Sequence, residues 1–265
     1  MPKKKEPIRI MMIPDAQVKK GVPLNHLRAL GNYIVDKKPD VLVNIGDFAD
    51  MPSLSSYDKP GSKKTEGARY KDDIAATHEA MDELMGPIFE YNKGKRKKNR
   101  YTPKMIFCLG NHEDRINRAI NQNPRHFEGV IGIEDLNYEA YGWEVYPFLE
   151  MVEIGGVYFS HYFVNPNSKI KNVISGNMTT NLKNVGFSFC MGHQQILDVG
   201  MLYRTNGDSI QGVIAGAFYQ HDEGYMGPQG NPSHWRGAIM LNEVQNGNFD
   251  IMPLSMDYLL RKWDF

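Results

Sequence analysis

A chain of 265 residues, 41% of them apolar, can bury a substantial core without disulfides or obligate assembly, and it fits one large α/β domain over 1–265. Lys+Arg and Asp+Glu both number 31, so the overall charge argues neither for nor against a nucleic-acid partner, and any basic surface is local. No run reaches the ~18 apolar residues of a membrane span, so no membrane partner is expected.

The basic N-terminus leads into an apolar run interrupted by Arg9 and reads as a first strand, not a signal peptide. Leu24, Leu27, Leu30 and Ile34 then fall at helical spacing, closed by Lys37-Lys38-Pro39 ahead of a second strand. This is a βαβ unit, which predicts two parallel neighbouring strands with Asp15 and Asp47 emerging side by side. Residues 51–71 are rich in Pro, Gly, Ser and Lys without periodicity; a loop this long after a chemical motif is more often functional than connective, and it is the candidate substrate-facing lid.

Ile74, Met81, Leu84, Met85 and Ile88 outline an amphipathic helix, with Pro87 near its end or at a kink. The basic run 93–100 is either a solvated loop or a contact for phosphate backbones. A helix starting at Asp114 is expected to point its first amides at bound phosphate, and Arg115 is a candidate phosphate clamp. From Trp143 the pattern turns to β, with hairpin signals at Gly155-Gly156, Asn206-Gly207-Asp208 and Asn246-Gly247-Asn248. The second half is therefore expected to supply a largely antiparallel or mixed sheet packed on the first. Cys108 and Cys190 sit inside apolar runs and read as buried thiols in neighbouring strands of a reduced, cytoplasmic protein.

Five apolar runs end alike. IRIMMIPDAQ, VLVNIGDFAD, MIFCLGNHEDR, VYFSH and FSFCMGHQQ each stop at Asp, Asn, His or Gln. After one strand such a residue is usually a turn former or helix cap. Repeated five times with metal-ligand types, the pattern points to convergence on one metal-bearing rim, the edge where open α/β sheets place their chemistry.

In order, Asp15-Ala16-Gln17, Gly46-Asp47 through Asp50, Gly110-Asn111-His112-Glu113, His161 and Gly192-His193-Gln194-Gln195 resemble the five signatures of the calcineurin-like metallophosphoesterases. The stretch GDFADMPSLSSYD is similar to phage-encoded members, which would place the protein in a host cytoplasm. Gln17 and Gln195 stand where that family usually has His. The resemblance implies a four-layer αββα sandwich of two mixed sheets flanked by helices, and two divalent metal ions: Mn²⁺ foremost, with Mg²⁺, Zn²⁺, Fe or Ni²⁺ as alternatives. It assigns one metal to Asp15, Gln17, Asp47 and Gln195 and the other to Asp47, Asn111, His161 and His193, with Asp47 bridging. It makes His112 the general acid, oriented by Asp50, and a bridging hydroxide the nucleophile.

A neutral amide oxygen from each Gln leaves the first metal with oxygen donors only, while the second keeps two imidazoles. The remaining histidines, His26, His78, His126, His221 and His234, lie outside the motifs and read as helix-face or loop residues; His221, which follows an apolar run, is the one that could reach substrate from the second sheet's rim. These readings together predict a metal-dependent phosphoric ester hydrolase, foremost a phosphodiesterase acting on nucleic acid or a nucleotide, with Arg115 and Asn111 binding the phosphate ester. A phosphomonoesterase or protein phosphatase, and a scaffold that kept the fold without catalysis, are the alternatives. No protein partner is identifiable from the sequence.

Overall fold

The structure, a computed structural model, describes residues 6–56, 67–170, 172–223 and 227–265, with backbone alone at 227 and 228. Strand β1 (Ile8–Ile13) leads through helix α1 (Asn25–Lys37) into β2 (Val41–Asn44), which pairs with β1 in parallel as expected of a βαβ unit. Lys38 ends α1 in the left-handed conformation, its N–H bonded to the Ile34 carbonyl, just before Pro39. Helix α2 (Tyr70–Asn92) buries Met81, Leu84, Met85 and Ile88 and runs on past Pro87 to Asn92.

The chain continues through β3 (Lys104–Cys108), α3 (Arg115–Gln122), the short α4 (Pro124–Phe127), β4 (Glu144–Tyr146), β5 (Val152–Ile154) and β6 (Val157–Phe159). Then come α5 (Met178–Val185), β7 (Ser188–Met191), β8 (Leu197–Tyr203), β9 (Ser209–Ala215) and the short α6 (Gly227–Gly230). The last elements are β10 (Gly237–Gln245), β11 (Asn248–Ser255) and α7 (Met256–Lys262).

Among the described residues the strands form two mixed sheets, ordered β11-β10-β1-β2-β3-β4 and β5-β6-β7-β9-β8. Period-two alternation sorts their side chains into layers. Met11, Ile13, Leu42 and Phe107 face a helical layer with Leu27, Leu30, Leu84, Met85 and Leu259. Ile10, Met12, Val43, Ile106 and Cys108 face the opposite way and meet Phe159, Cys190, Val213 and Ala215 of the second sheet. That sheet's outer face, with Phe189, Met191 and Ile214, is covered by Met178 and Leu182 of α5. The order helix, sheet, sheet, helix is the four-layer αββα sandwich.

All three hairpins form, joining β5 to β6, β8 to β9 and β10 to β11. Their placement differs from expectation in one respect: β10 and β11 return to the first sheet, β10 pairing antiparallel with β1, so the second half does not build the second sheet alone. The β4 strand likewise joins the first sheet, beside β3. Cys108 and Cys190 are buried free thiols, yet they lie on facing sheets, not on neighbouring strands of one. Of the expected lid 51–71, positions 57–66 lie outside the described residues.

Candidate metal and catalytic site

The five apolar runs become β1, β2, β3, β6 and β7, running parallel within their sheets, so their C-terminal ends share one rim. Beyond that rim the loops of β1 and β2 zip together, Gln17 and Val18 donating their N–H groups to the carbonyls of Asp47 and Phe48, both at 2.8 Å. Asp15 and Asp47 thus emerge side by side, both fully buried. Four of the expected ligands hold left-handed backbone despite carrying side chains: Gln17 at φ 43°, Asp47 at 51°, His193 at 66° and Gln195 at 58°. Strain of this kind costs on the order of 1 kcal/mol per residue and gathers where geometry serves a site.

The glycines of two motifs have a steric cause. A Cβ at Gly110 would lie 2.2 Å from Asp47 Oδ1, and one at Gly192 would lie 2.3 Å from Asp15 Oδ1. Glycine therefore lets the β3 and β7 exits close over the two carboxylates.

Asp47, His161 and His193 each offer a ligand atom, all within 4.8 Å of one another. His161 donates Nδ1–H to the Ile45 carbonyl at 2.8 Å, which turns its Nε2 toward Asp47 Oδ2 at 3.3 Å and Asn111 Oδ1 at 2.9 Å. An imidazole anchored through one nitrogen so that the other faces carboxylate and amide oxygens is the arrangement a divalent cation requires. Two imidazoles, a carboxylate and an amide oxygen fit Zn²⁺, Fe or Mn²⁺. The other expected set is more engaged within the protein. Asp15 accepts the His193 N–H at 3.1 and 3.2 Å through its two oxygens, and Gln195 Oε1 accepts the Tyr219 hydroxyl at 2.7 Å. Those oxygens keep lone pairs for a cation, and none of the set is an imidazole.

Burial alone would raise the Asp47 carboxyl, but His112 and His161 hold it well below the usual carboxylate range. Against the burial that would lower it, Asp47 and Asp15 push His161 up to about 9. Burial, with His161 adding, pushes His193 down to about 4. Burial drives Asp15 upward, with Asp47 adding and His161 opposing. Protons on these groups occupy the positions that a bound cation takes over.

His112 donates Nδ1–H to Asp50 Oδ1 at 2.9 Å, leaving Nε2 3.7 Å from Asp47 Oδ2. Burial and Arg115 lower His112, but Asp47 and Asp50 outweigh them and raise it above its ordinary value. Arg115 is buried: its Nη1 bonds the Asp50 carbonyl at 2.6 Å and its Nη2 lies 3.1 Å from His112 Nε2. The α3 amides do not form the expected anion site, because those of Asp114, Arg115 and Ile116 bond the carbonyls of Gly110, His112 and Glu113.

Two groups with no role in the sequence reading shape the site. Glu113 Oε2 accepts the N–H of Asp47 at 2.9 Å and of Gly110 at 2.8 Å, while Oε1 accepts that of Ala49 at 2.9 Å. The carboxylate after His112 in the motif is its only sequence signal. Lys19 bridges Asp50 and Glu223, a pairing across the chain that no local pattern reveals. His221, the histidine that could reach substrate, bonds Glu223 at 2.7 Å and stacks on Tyr219. Beside these groups opens a cleft of about 930 Å³ whose walls include Gln17, Lys19, Arg69, His112, His193 and Gln195.

No protein-family model matches the chain, and no curated protein matches it. Among solved structures, it is similar to a dimetal phosphatase from Danio rerio, with 11% identity, TM-score 0.45, and 95% of this chain and 97% of that one covered. It is also similar to a conserved uncharacterised protein, described as a predicted phosphoesterase, from Streptococcus pneumoniae TIGR4, with 11% identity, TM-score 0.38, and coverage of 96% and 92%.

Proposed function

We propose that residues 1–265 act as one catalytic unit, a metal-dependent phosphoesterase that hydrolyses phosphodiesters of nucleotides or nucleic acid. The observation that carries this reading is the convergence of Asp47, His161 and His193 within 4.8 Å on the rim where His112 and Asp50 form their pair. Asn111, Asp47, His161 and His193 would hold one divalent cation, and Asp15, Gln17, Asp47 and Gln195 a second, weaker one. Such cations neutralise a phosphate ester and make water acidic enough to attack it. His112 then protonates the leaving oxygen through Nε2, while Asp50 fixes the ring through Nδ1. A cleft of about 930 Å³ exceeds what one phosphate group fills and leaves room for both arms of a diester.

The lack of imidazole in the Gln17 and Gln195 set favours a second reading, a protein that binds one metal and does not turn over. One experiment separates the two. Metal content is measured after purification, Mn²⁺ is titrated by calorimetry, and bis-aryl diester and aryl monoester are assayed with added Mn²⁺. The expected result is one tight and one weak site, with diester turnover following the weak one, and Gln17→His with Gln195→His tightening only the weak site. Tight binding without turnover of either ester selects the binding protein; faster monoester turnover makes it a phosphomonoesterase; no metal bound overturns both.

A further inference from the structure

Lys19 follows the first motif by two residues, where an isolated parallel bridge between Val18 and Ala49 joins the exits of β1 and β2. Its side chain is 24% exposed, and its Nζ lies 2.9 Å from Asp50 Oδ2 and 2.6 Å from Glu223 Oε1. Glu223 is itself pinned. His221 Nε2 bonds the same oxygen at 2.7 Å, and Asn231 clamps the Glu223 backbone, accepting its N–H at 2.8 Å and donating to its carbonyl at 3.1 Å. Asp50 commits its other oxygen to His112 Nδ1 at 2.9 Å. A continuous chain of hydrogen bonds and ion pairs therefore runs from His112 through Asp50, Lys19 and Glu223 to His221.

We infer that Lys19 is a positioning residue for the reaction: by holding Asp50 Oδ2 it fixes the carboxylate so that Oδ1 stays on His112 Nδ1 and His112 Nε2 stays aimed at the leaving oxygen. The competing cation is already in place. Arg115 Nη1 lies 3.5 Å from Asp50 Oδ1, beyond a good hydrogen bond, and the Arg115–Asp50 pair shortens if the carboxylate is free to turn. With Lys19 removed, Asp50 has cations on one side only and rotates toward Arg115, releasing the ring. A line of largely buried charges carries a heavy desolvation penalty for little net stability, so its contribution lies in geometry.

The inference rests on His112 as the proton donor, so the test carries His112→Ala beside Lys19→Met and Lys19→Arg. Turnover is measured on diesters with leaving groups from activated aryl to alkyl, and the metal-free proteins are examined by proton NMR for the hydrogen-bonded Nδ1–H of His112, identified by its absence in His112→Ala. Lys19→Met is expected to lose kcat by part of the ~10²–10⁴ that a general acid supplies, more for alkyl than for aryl leaving groups, with KM and calorimetric Mn²⁺ affinity unchanged. The Nδ1–H signal should broaden away in Lys19→Met and return, with most of the activity, in Lys19→Arg. Persistence of the signal in folded Lys19→Met, or an equal loss for every leaving group while His112→Ala discriminates among them, overturns the role of Lys19. If His112→Ala does not discriminate, the general-acid reading falls and the proposed role of Lys19 falls with it, whereas the NMR signal still reports whether Lys19 orients the ring.

Discussion

Glu113 faces neither the cleft nor a cation, yet it determines where Asp47 stands. A buried carboxylate accepts N–H groups through both oxygens, and here three backbone donors and the Tyr138 hydroxyl, at 3.4 Å, converge on it. Its acidity is weakened by burial and by the nearby Asp47 charge, with the Ala49 and Gly110 N–H groups opposing. In Glu113→Gln an NH₂ group replaces one acceptor and confronts at least one of those donors, which must move away. Asp47 shares that loop, so its left-handed backbone is the first to relax. Changes to groups that orient a metal ligand typically cost 10–100-fold in metal affinity. Calorimetry of Mn²⁺ should therefore show about that loss in Glu113→Gln with the far-UV spectrum unchanged. An unaltered affinity would show that the strained turn holds without the carboxylate. The same residue marks what the motif conceals, because the sequence shows a carboxylate after His112 but not that it turns inward to backbone N–H groups.

Helix α1 carries another device unrelated to the motifs. His26 is buried against Phe218, with its Nε2 at 2.9 Å from the Phe218 carbonyl and its Nδ1 at 3.2 Å from Gln220 Oε1. Burial, aided by the charge of His221, pushes it from its ordinary 6.5 down to about 4 despite those bonds. Between these values the unfolded chain binds a proton that the folded one refuses, so its contribution is full above pH 6.5 and is lost as pH falls toward 4. At 1.36 kcal/mol per pH unit the loss is about 3 kcal/mol. His26→Gln keeps a donor for Phe218 without titrating, so urea unfolding between pH 7 and 4 should fall less steeply with acid than in the unmodified protein; parallel slopes would place the acid sensitivity elsewhere. Elements were legible in the sequence where their cause was local. The Gly155-Gly156 turn, the closure at Lys38-Pro39 and the strand ends bearing Asp47 and His161 follow from neighbouring residues. Which sheet a hairpin joins was not legible, because the pairing of Met11 with Met240 is decided by packing between distant segments. The Lys19 to Glu223 ion pair was hidden for the same reason.

At the scale of the molecule, the parallel strands give the first sheet two unlike poles. The candidate site occupies the C-terminal ends of β1, β2 and β3, whereas the basic run 93–100 enters β3 at its opposite end, through Lys104. Tyr101 ties it there, its hydroxyl bonding the Pro39 carbonyl at 2.7 Å and its backbone pairing with the Asn92 side chain. Lys38 and Lys95 collect on Tyr91, while Lys93, Arg96, Lys97 and Lys98 are exposed and have no carboxylate partner among the described residues. Five strand residues at about 3.3 Å each set a straight separation of about 17 Å, and the path over the surface is longer. An aryl diester is far shorter than that separation and cannot touch both poles at once. Binding of phosphate backbones by this run therefore concerns long substrates alone. Neutralising Lys95, Arg96, Lys97 and Lys98 to Gln should weaken single-stranded polynucleotide binding and flatten its salt dependence, by a log–log slope of about 0.7 for each phosphate that the run no longer neutralises. Turnover of an aryl diester should not change, because it is too short to reach the run from the cleft. Equal losses for short and long substrates would mean that the run acts on the site through the fold, and an unchanged salt slope would return it to a solvated loop.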